Sequence, residues 1–128
     1  MSEPSIRRSF PADQSAPGAA RRTISEFLQG RGADPVRQSD VLLAVSEVVT
    51  NCVVHGYRGG PGQVAIEARH SGGRLLLSVA DQGTGMRPRL DSPGLGLGLP
   101  LVGRVADRVD ISAPEGGGTV VSMWFRLD

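Results

Sequence analysis

A chain of 128 residues, 39% hydrophobic and 21% charged, has the size and balance of one globular domain, residues 1–128, with a single two-layer core. A net charge of +1 and an aromatic content of 4% give no footing for direct nucleic-acid binding, and no run nears the roughly 18 apolar residues of a membrane span. All 14 basic residues are arginine, which removes every mechanism that needs an amine, whether a Walker-A lysine, a kinase strand lysine or a Schiff base.

The opening M-S-E-P-S-I-R-R-S-F holds no apolar stretch of the kind a secretory signal carries, so cytoplasm is the expected location. Residues 1 to 5 are expected to be disordered, and Ile6 to Phe10 to form a first strand ended by Pro11. A helix should begin near Ser15 or Pro17 and carry Ala19, Ala20, Ile24, Phe27 and Leu28 at helical spacing, until Gly30 and Gly32 stop it. Asp34 can cap the next helix, with Pro35 at its first position.

That second helix contains V-L-L-A-V-S-E-V-V-T-N-C-V-V-H-G-Y, residues 41–57. At about 100° per residue, Val41, Leu42, Val45, Val49, Cys52 and Val53 share a broad apolar arc. Glu47, Thr50 and Asn51 fall on the other side, with Glu47 and Asn51 one above the other at i, i+4. Such a stripe can simply face water. It is short of charge for that role, carrying Glu, Thr, Asn and His where a solvated face carries Lys, Arg and Glu. Gly56 is placed to end the helix. The single cysteine, Cys52, reads as a buried thiol, which leaves neither a disulfide nor a cysteine-built metal site.

Arg58 to Gly62 is a turn by composition. Val64, Ile66 and Ala68 alternate with polar residues, Ser71-Gly72-Gly73 turns the chain, and Leu75 to Ala80 returns as the second strand of a hairpin. After a glycine-rich stretch from Asp81 to Gly98, a helix is expected around Leu97 to Ala106 and a strand around Arg108 to Ser112. Pro114 to Gly118 makes a turn, and Thr119 to Leu127 forms a last strand with Val121, Met123 and Phe125 on one side. Trp124 is read as core. The order β-α-α-β-β-loop-α-β-β, built on hairpins, points to an α+β two-layer sandwich: a mixed sheet of about five strands with three helices on one face.

Three places could carry chemistry. Asp81-Gln82-Gly83-Thr84-Gly85 follows a strand directly, so Asp81 can accept a hydrogen bond from an exocyclic amine while the glycines admit a flat ligand. The motif alone also fits an ordinary polar turn. Gly94-Leu95-Gly96-Leu97-Gly98-Leu99-Pro100 is a stronger signal: it runs into a helix with exposed N–H groups, an anion site that lacks both the Rossmann spacing and the P-loop lysine, whereas a flexible glycine hinge leaves the regular leucines unexplained. Asn51 offers a hard oxygen to Mg²⁺. Together they divide the labour of binding ATP: glycine-loop amides on the polyphosphate, Asp81 on the adenine, Asn51 on the metal. Glu47, one turn from Asn51, can orient or deprotonate an incoming hydroxyl.

S-E-V-V-T-N-C-V-V-H-G-Y resembles the N-box, D-Q-G-T-G-M the first glycine box and G-L-G-L-G-L-P-L-V the second glycine box of the GHKL (Bergerat-fold) ATPases. Within that superfamily the chain is most similar to the anti-sigma-factor serine kinases of bacterial partner-switching modules, over nearly its whole length. The resemblance implies that Asn51 coordinates Mg²⁺ and that Asp81 contacts the adenine amino group. Thr119 would support the base, and Glu47 would act as general base for phosphorylating a serine of an anti-anti-sigma protein. Gly83, Gly85 and Met86 of one box, with Gly94, Leu95, Gly96, Leu97, Gly98 and Leu99 of the other, would line the nucleotide. His55 joins these candidates, although a helix-end histidine is its plainer account, as a solvated arginine is for Arg104. Such kinases also sequester a sigma factor as homodimers, with ADP or ATP governing the partner. Between Gly85 and Gly94 this chain has only M-R-P-R-L-D-S-P, a shorter lid than is typical, within which Arg87 and Arg89 could reach phosphate. The alternatives are a nucleotide-gated binding module without kinase activity and a detached histidine-kinase ATPase domain. Glu47 speaks for the kinase, and the want of a histidine-bearing dimerisation helix speaks against the last.

Overall fold

The computed structural model describes residues 4–56, 62–81, 99–113 and 117–128. Two helices follow the first strand. β1 is Ser5–Pro11, α1 is Ala16–Leu28 and α2 is Pro35–Asn51, which runs into a π-helical turn, Cys52–Gly56. β2 (Gln63–Ser71) and β3 (Arg74–Asp81) make a hairpin, followed in the described chain by α3 (Leu99–Val105), β4 (Arg108–Ser112) and β5 (Thr119–Arg126). Disorder was expected through residue 5, yet Pro4 already accepts a hydrogen bond from the His70 amide and Ser5 pairs with Arg69.

Local sequence explains the boundaries. Asp34 caps α2 by accepting from the Val36 amide at 2.9 Å, with Pro35 at the first helical position. At the start of α1 the cap comes from outside the helix: the Asp13 carboxylate accepts from the Ser15 amide and hydroxyl. The β2–β3 hairpin turns on Gly72 and Gly73, whose φ of 57° and 76° is the left-handed pair that a two-residue turn requires.

The strands lie in the order β1-β2-β3-β5-β4. Every described pairing is antiparallel, which corrects the expected mixed sheet. The reason is topological. The α3 crossover brings β4 back parallel to β3, but β5 inserts between them and pairs with both.

One face of the sheet is apolar. Val64, Ile66, Ala68, Leu75, Leu77, Val79, Val121, Met123 and Phe125 are buried there against the helices. From the helices come Ala20, Ile24, Phe27, Leu28, Val41, Ala44, Val45, Val48 and Val49. Ala44 and Val48 widen the arc read from sequence. Each large aliphatic side chain buried here contributes about 1.5–3 kcal/mol. Strict alternation turns Trp124 to the opposite face, half-buried, with the Arg108 guanidinium 5.0 Å from its ring centre. Its expected place in the core is therefore corrected.

Arg37, in the first turn of α2, ties the sheet's far end to the helices. Nε donates to the Arg126 carbonyl at 2.7 Å, Nη1 to Asp40 Oδ2 at 2.9 Å and the Val105 carbonyl at 3.1 Å, and Nη2 to Asp107 Oδ2 at 3.1 Å. The Val105 carbonyl closes α3, and a cation satisfies a helix C-terminus well. Arg37→Ala is expected to lower stability by about 2 kcal/mol in urea denaturation, because four acceptors lose a charged donor. Arg37→Lys should recover less than half of that, since one ammonium cannot reach the spread of a guanidinium. Full recovery by lysine would contradict the network.

Candidate functional site

Asp81 ends β3, where it pairs with Thr119 at the start of β5 and with Val64 on β2. All three point to the helix-covered face, so the carboxylate lies in the core layer: Asp81 is 3% exposed and Thr119 2%. A carboxylate this deep needs partners. One comes from the helix layer, where Cys52 Sγ donates to Asp81 Oδ2 at 3.6 Å. Burial, and then the Asp81 charge, push the Cys52 thiol far above its ordinary value, so it stays protonated.

That contact fixes where the end of α2 lies. Asn51 immediately precedes Cys52 and is itself only 6% exposed. Asn51 therefore does not face solvent, as the plainest reading of an amphipathic helix would have it, while Glu47 and Thr50 on the same stripe are half-buried. The Asn51 amide nitrogen, Nδ2, is buried without a hydrogen-bond partner. Buried polar groups are nearly always paired, so an orphan of this kind marks a place where a ligand oxygen is wanted. The other such atom, His70 Nε2, belongs to the opposite end of β2. Glu47 is half-buried one turn before Asn51, with no hydrogen bond or ion pair to another described residue. At Cys52 the helix widens from α to π, an irregularity that often accompanies functional sites, where a regular helix up to Gly56 was expected.

The structure thus gathers Asn51, Cys52, Asp81 and Thr119 at one end of the sandwich, with Glu47 one turn away. His55 falls within the π-helical turn, and Leu99 opens α3. Arg104 is exposed in the last turn of α3. Gly83, Gly85, Met86, Gly94, Leu95, Gly96, Leu97 and Gly98 lie outside the described residues, as do Tyr57, Arg87 and Arg89. Sequence reading missed one contributor, Cys52. Its signal was adjacency to Asn51 on the apolar arc, which aims it at the same wall as Asp81.

The donor set suits a Mg²⁺ nucleotide. A carboxamide offers one hard oxygen to a cation and an N–H to a phosphate oxygen, and Mg²⁺ characteristically takes few protein ligands and keeps its waters and phosphates. No group of three or more His, Cys, Asp or Glu that could hold a metal by itself occurs among the described residues. Nor, among them, is any helix long and apolar enough to cross a membrane.

A family model described as the histidine kinase-like ATPase domain matches residues 10–125. The anti-sigma F factor of a Thermoanaerobacter species is 34% identical over 115 residues, covering 81% of this chain and 80% of the relative. That of Clostridium acetobutylicum is 30% identical over 134 residues, covering 96% and 94%. Among solved structures, the RsbU and RsbW domains of a Mycobacterium tuberculosis protein superpose with a TM-score of 0.76 at 26% identity, over 97% of this chain and 32% of that one. The chain belongs to the histidine kinase-like (GHKL) ATPase domain family, and its similarity within that family runs to the anti-sigma F factors.

Proposed function

We propose that this chain is a cytoplasmic anti-sigma factor and ATP-dependent serine kinase, the 128 residues acting as one ATPase domain. ATP binds with its adenine at Asp81 and Thr119 and its phosphates near Asn51. The glycine boxes supply further contacts to the nucleotide, and His55 is a further binding residue. The observation that carries the reading is the buried, unpartnered Asn51 amide beside the Cys52–Asp81 contact.

Asn51 would hold Mg²⁺, which supplies charge neutralisation at the phosphates. Glu47 accepts the proton of the incoming serine hydroxyl. As the serine Oγ–phosphorus bond forms, the bond from γ-phosphorus to its bridging oxygen breaks and ADP leaves. The acceptor is a serine of an anti-anti-sigma protein. The second partner is a sigma factor, held by a homodimer of this chain and released according to whether ADP or ATP is bound. Neither nucleic acid nor membrane is a partner.

The test incubates the protein with γ-labelled ATP and a candidate anti-anti-sigma protein. Transfer of label to a serine is expected. ATP bound normally with no transfer would instead make this a nucleotide-gated binding module.

A further inference from the structure

Cys52 has no part in the proposed phosphoryl transfer, yet it makes a contact between the helix layer and the Asp81 carboxylate. Sγ lies 3.6 Å from Asp81 Oδ2, and Cys52 is 1% exposed. The thiol S–H donates and the carboxylate oxygen accepts. Donation to a charged acceptor is stronger than between neutral groups.

A strand sets the direction in which Asp81 leaves the backbone, but the terminal torsion of an aspartate is broad. Reading an exocyclic amine requires a carboxylate oxygen held in the plane of the base. The donor that holds it must therefore come from another element. Cys52 does so from the π-helical turn, one peptide bond from Asn51.

We infer that Cys52 is a positioning residue for nucleotide selection: its thiol fixes the Asp81 carboxylate in the orientation that prefers a 6-amino purine to a 6-oxo purine, and links the metal side of the pocket to the base side. The inference rests on Asp81 being the residue that reads adenine. It concerns selectivity, which separates it from a packing role. A side chain that merely fills space affects both purines alike.

The experiment measures Mg·ADP and Mg·IDP binding by calorimetry for the wild-type chain and for Cys52→Ala, Cys52→Val, Cys52→Ser and Asp81→Asn. IDP carries a carbonyl where ADP carries the amine. Cys52→Ala is expected to narrow the ADP-over-IDP ratio about fivefold to tenfold, the worth of one hydrogen bond. Cys52→Val fills the volume without a donor and should narrow it equally, which keeps the test open if the alanine variant folds poorly. Cys52→Ser restores a donor and should stay within about twofold of wild type. Asp81→Asn should abolish or reverse the preference, because an amide can donate to the inosine carbonyl.

An unchanged ratio in both Cys52→Ala and Cys52→Val, with Asp81→Asn abolishing the preference, overturns the role of Cys52 and leaves the adenine assignment standing. A narrowed ratio that serine does not rescue also overturns it, because restoring a donor then fails to restore the preference. An unchanged ratio in Asp81→Asn removes the adenine assignment and this inference together.

Discussion

Glu47→Ala is expected to cut phosphoryl transfer to the partner serine by about 10²–10⁴-fold, the usual range for loss of a positioned general base. Mg·ATP affinity should stay within about twofold. The asymmetry follows from placement. Glu47 lies one helical turn before Asn51, on the same line of α2. It is half-buried, with no hydrogen bond or ion pair to another described residue, so its charge supports no structural network. Single-turnover transfer of labelled phosphate, with calorimetry on the same sample, separates the two readouts. Glu47→Gln keeps the shape and removes the basicity, and should fall as far as alanine. Undiminished transfer in either variant takes Glu47 out of the mechanism.

Asn51→Ala has the opposite signature. Under the proposed function it removes a metal ligand and a phosphate donor together, and Mg·ATP affinity should fall by about 10²-fold, as for a lost hydrogen bond to a charged group. The nucleotide-free protein should be no less stable than wild type, because the amide nitrogen that disappears was buried without a partner. Thermal unfolding with and without saturating Mg·ATP reads both effects: the apo midpoint holds or rises, and the ligand-induced shift is largely lost. Sites that trade stability for binding behave this way. An apo midpoint lowered as far as by a core truncation, with nucleotide affinity intact, would mean that Asn51 is structural.

Much of this was legible from local chemistry. Asp34-Pro35 announced the start of α2, Gly72-Gly73 announced the hairpin, and the alternation from Val121 to Phe125 placed the inner face of β5. Asn51, Asp81 and Thr119, far apart in the chain, do converge on one end of the fold. What local pattern could not supply was pairing at a distance. The insertion of β5 between β3 and β4, which makes the sheet antiparallel, depends on contacts no periodicity records. The same holds for Arg37, whose acceptors Val105, Asp107 and Arg126 lie 68 to 89 residues away. Trp124 was legible and misread, since the alternation that puts Met123 and Phe125 inside puts it outside. The burial of Asn51 was also beyond reach, because helical spacing gives the direction of a side chain and says nothing of what covers it.

The place of β5 bears on how the chain comes off the ribosome. It follows every other described element in the chain, yet it sits inside the sheet and carries Thr119 to the buried end beside Asp81. Until translation has passed Arg126, the edge of β3 away from β2 has no strand to pair with. Such an interval exposes a nascent chain to aggregation. A premature stop anywhere before Thr119 leaves a polypeptide that holds most of the helices but cannot close the sheet, fit work for a holdase or a protease.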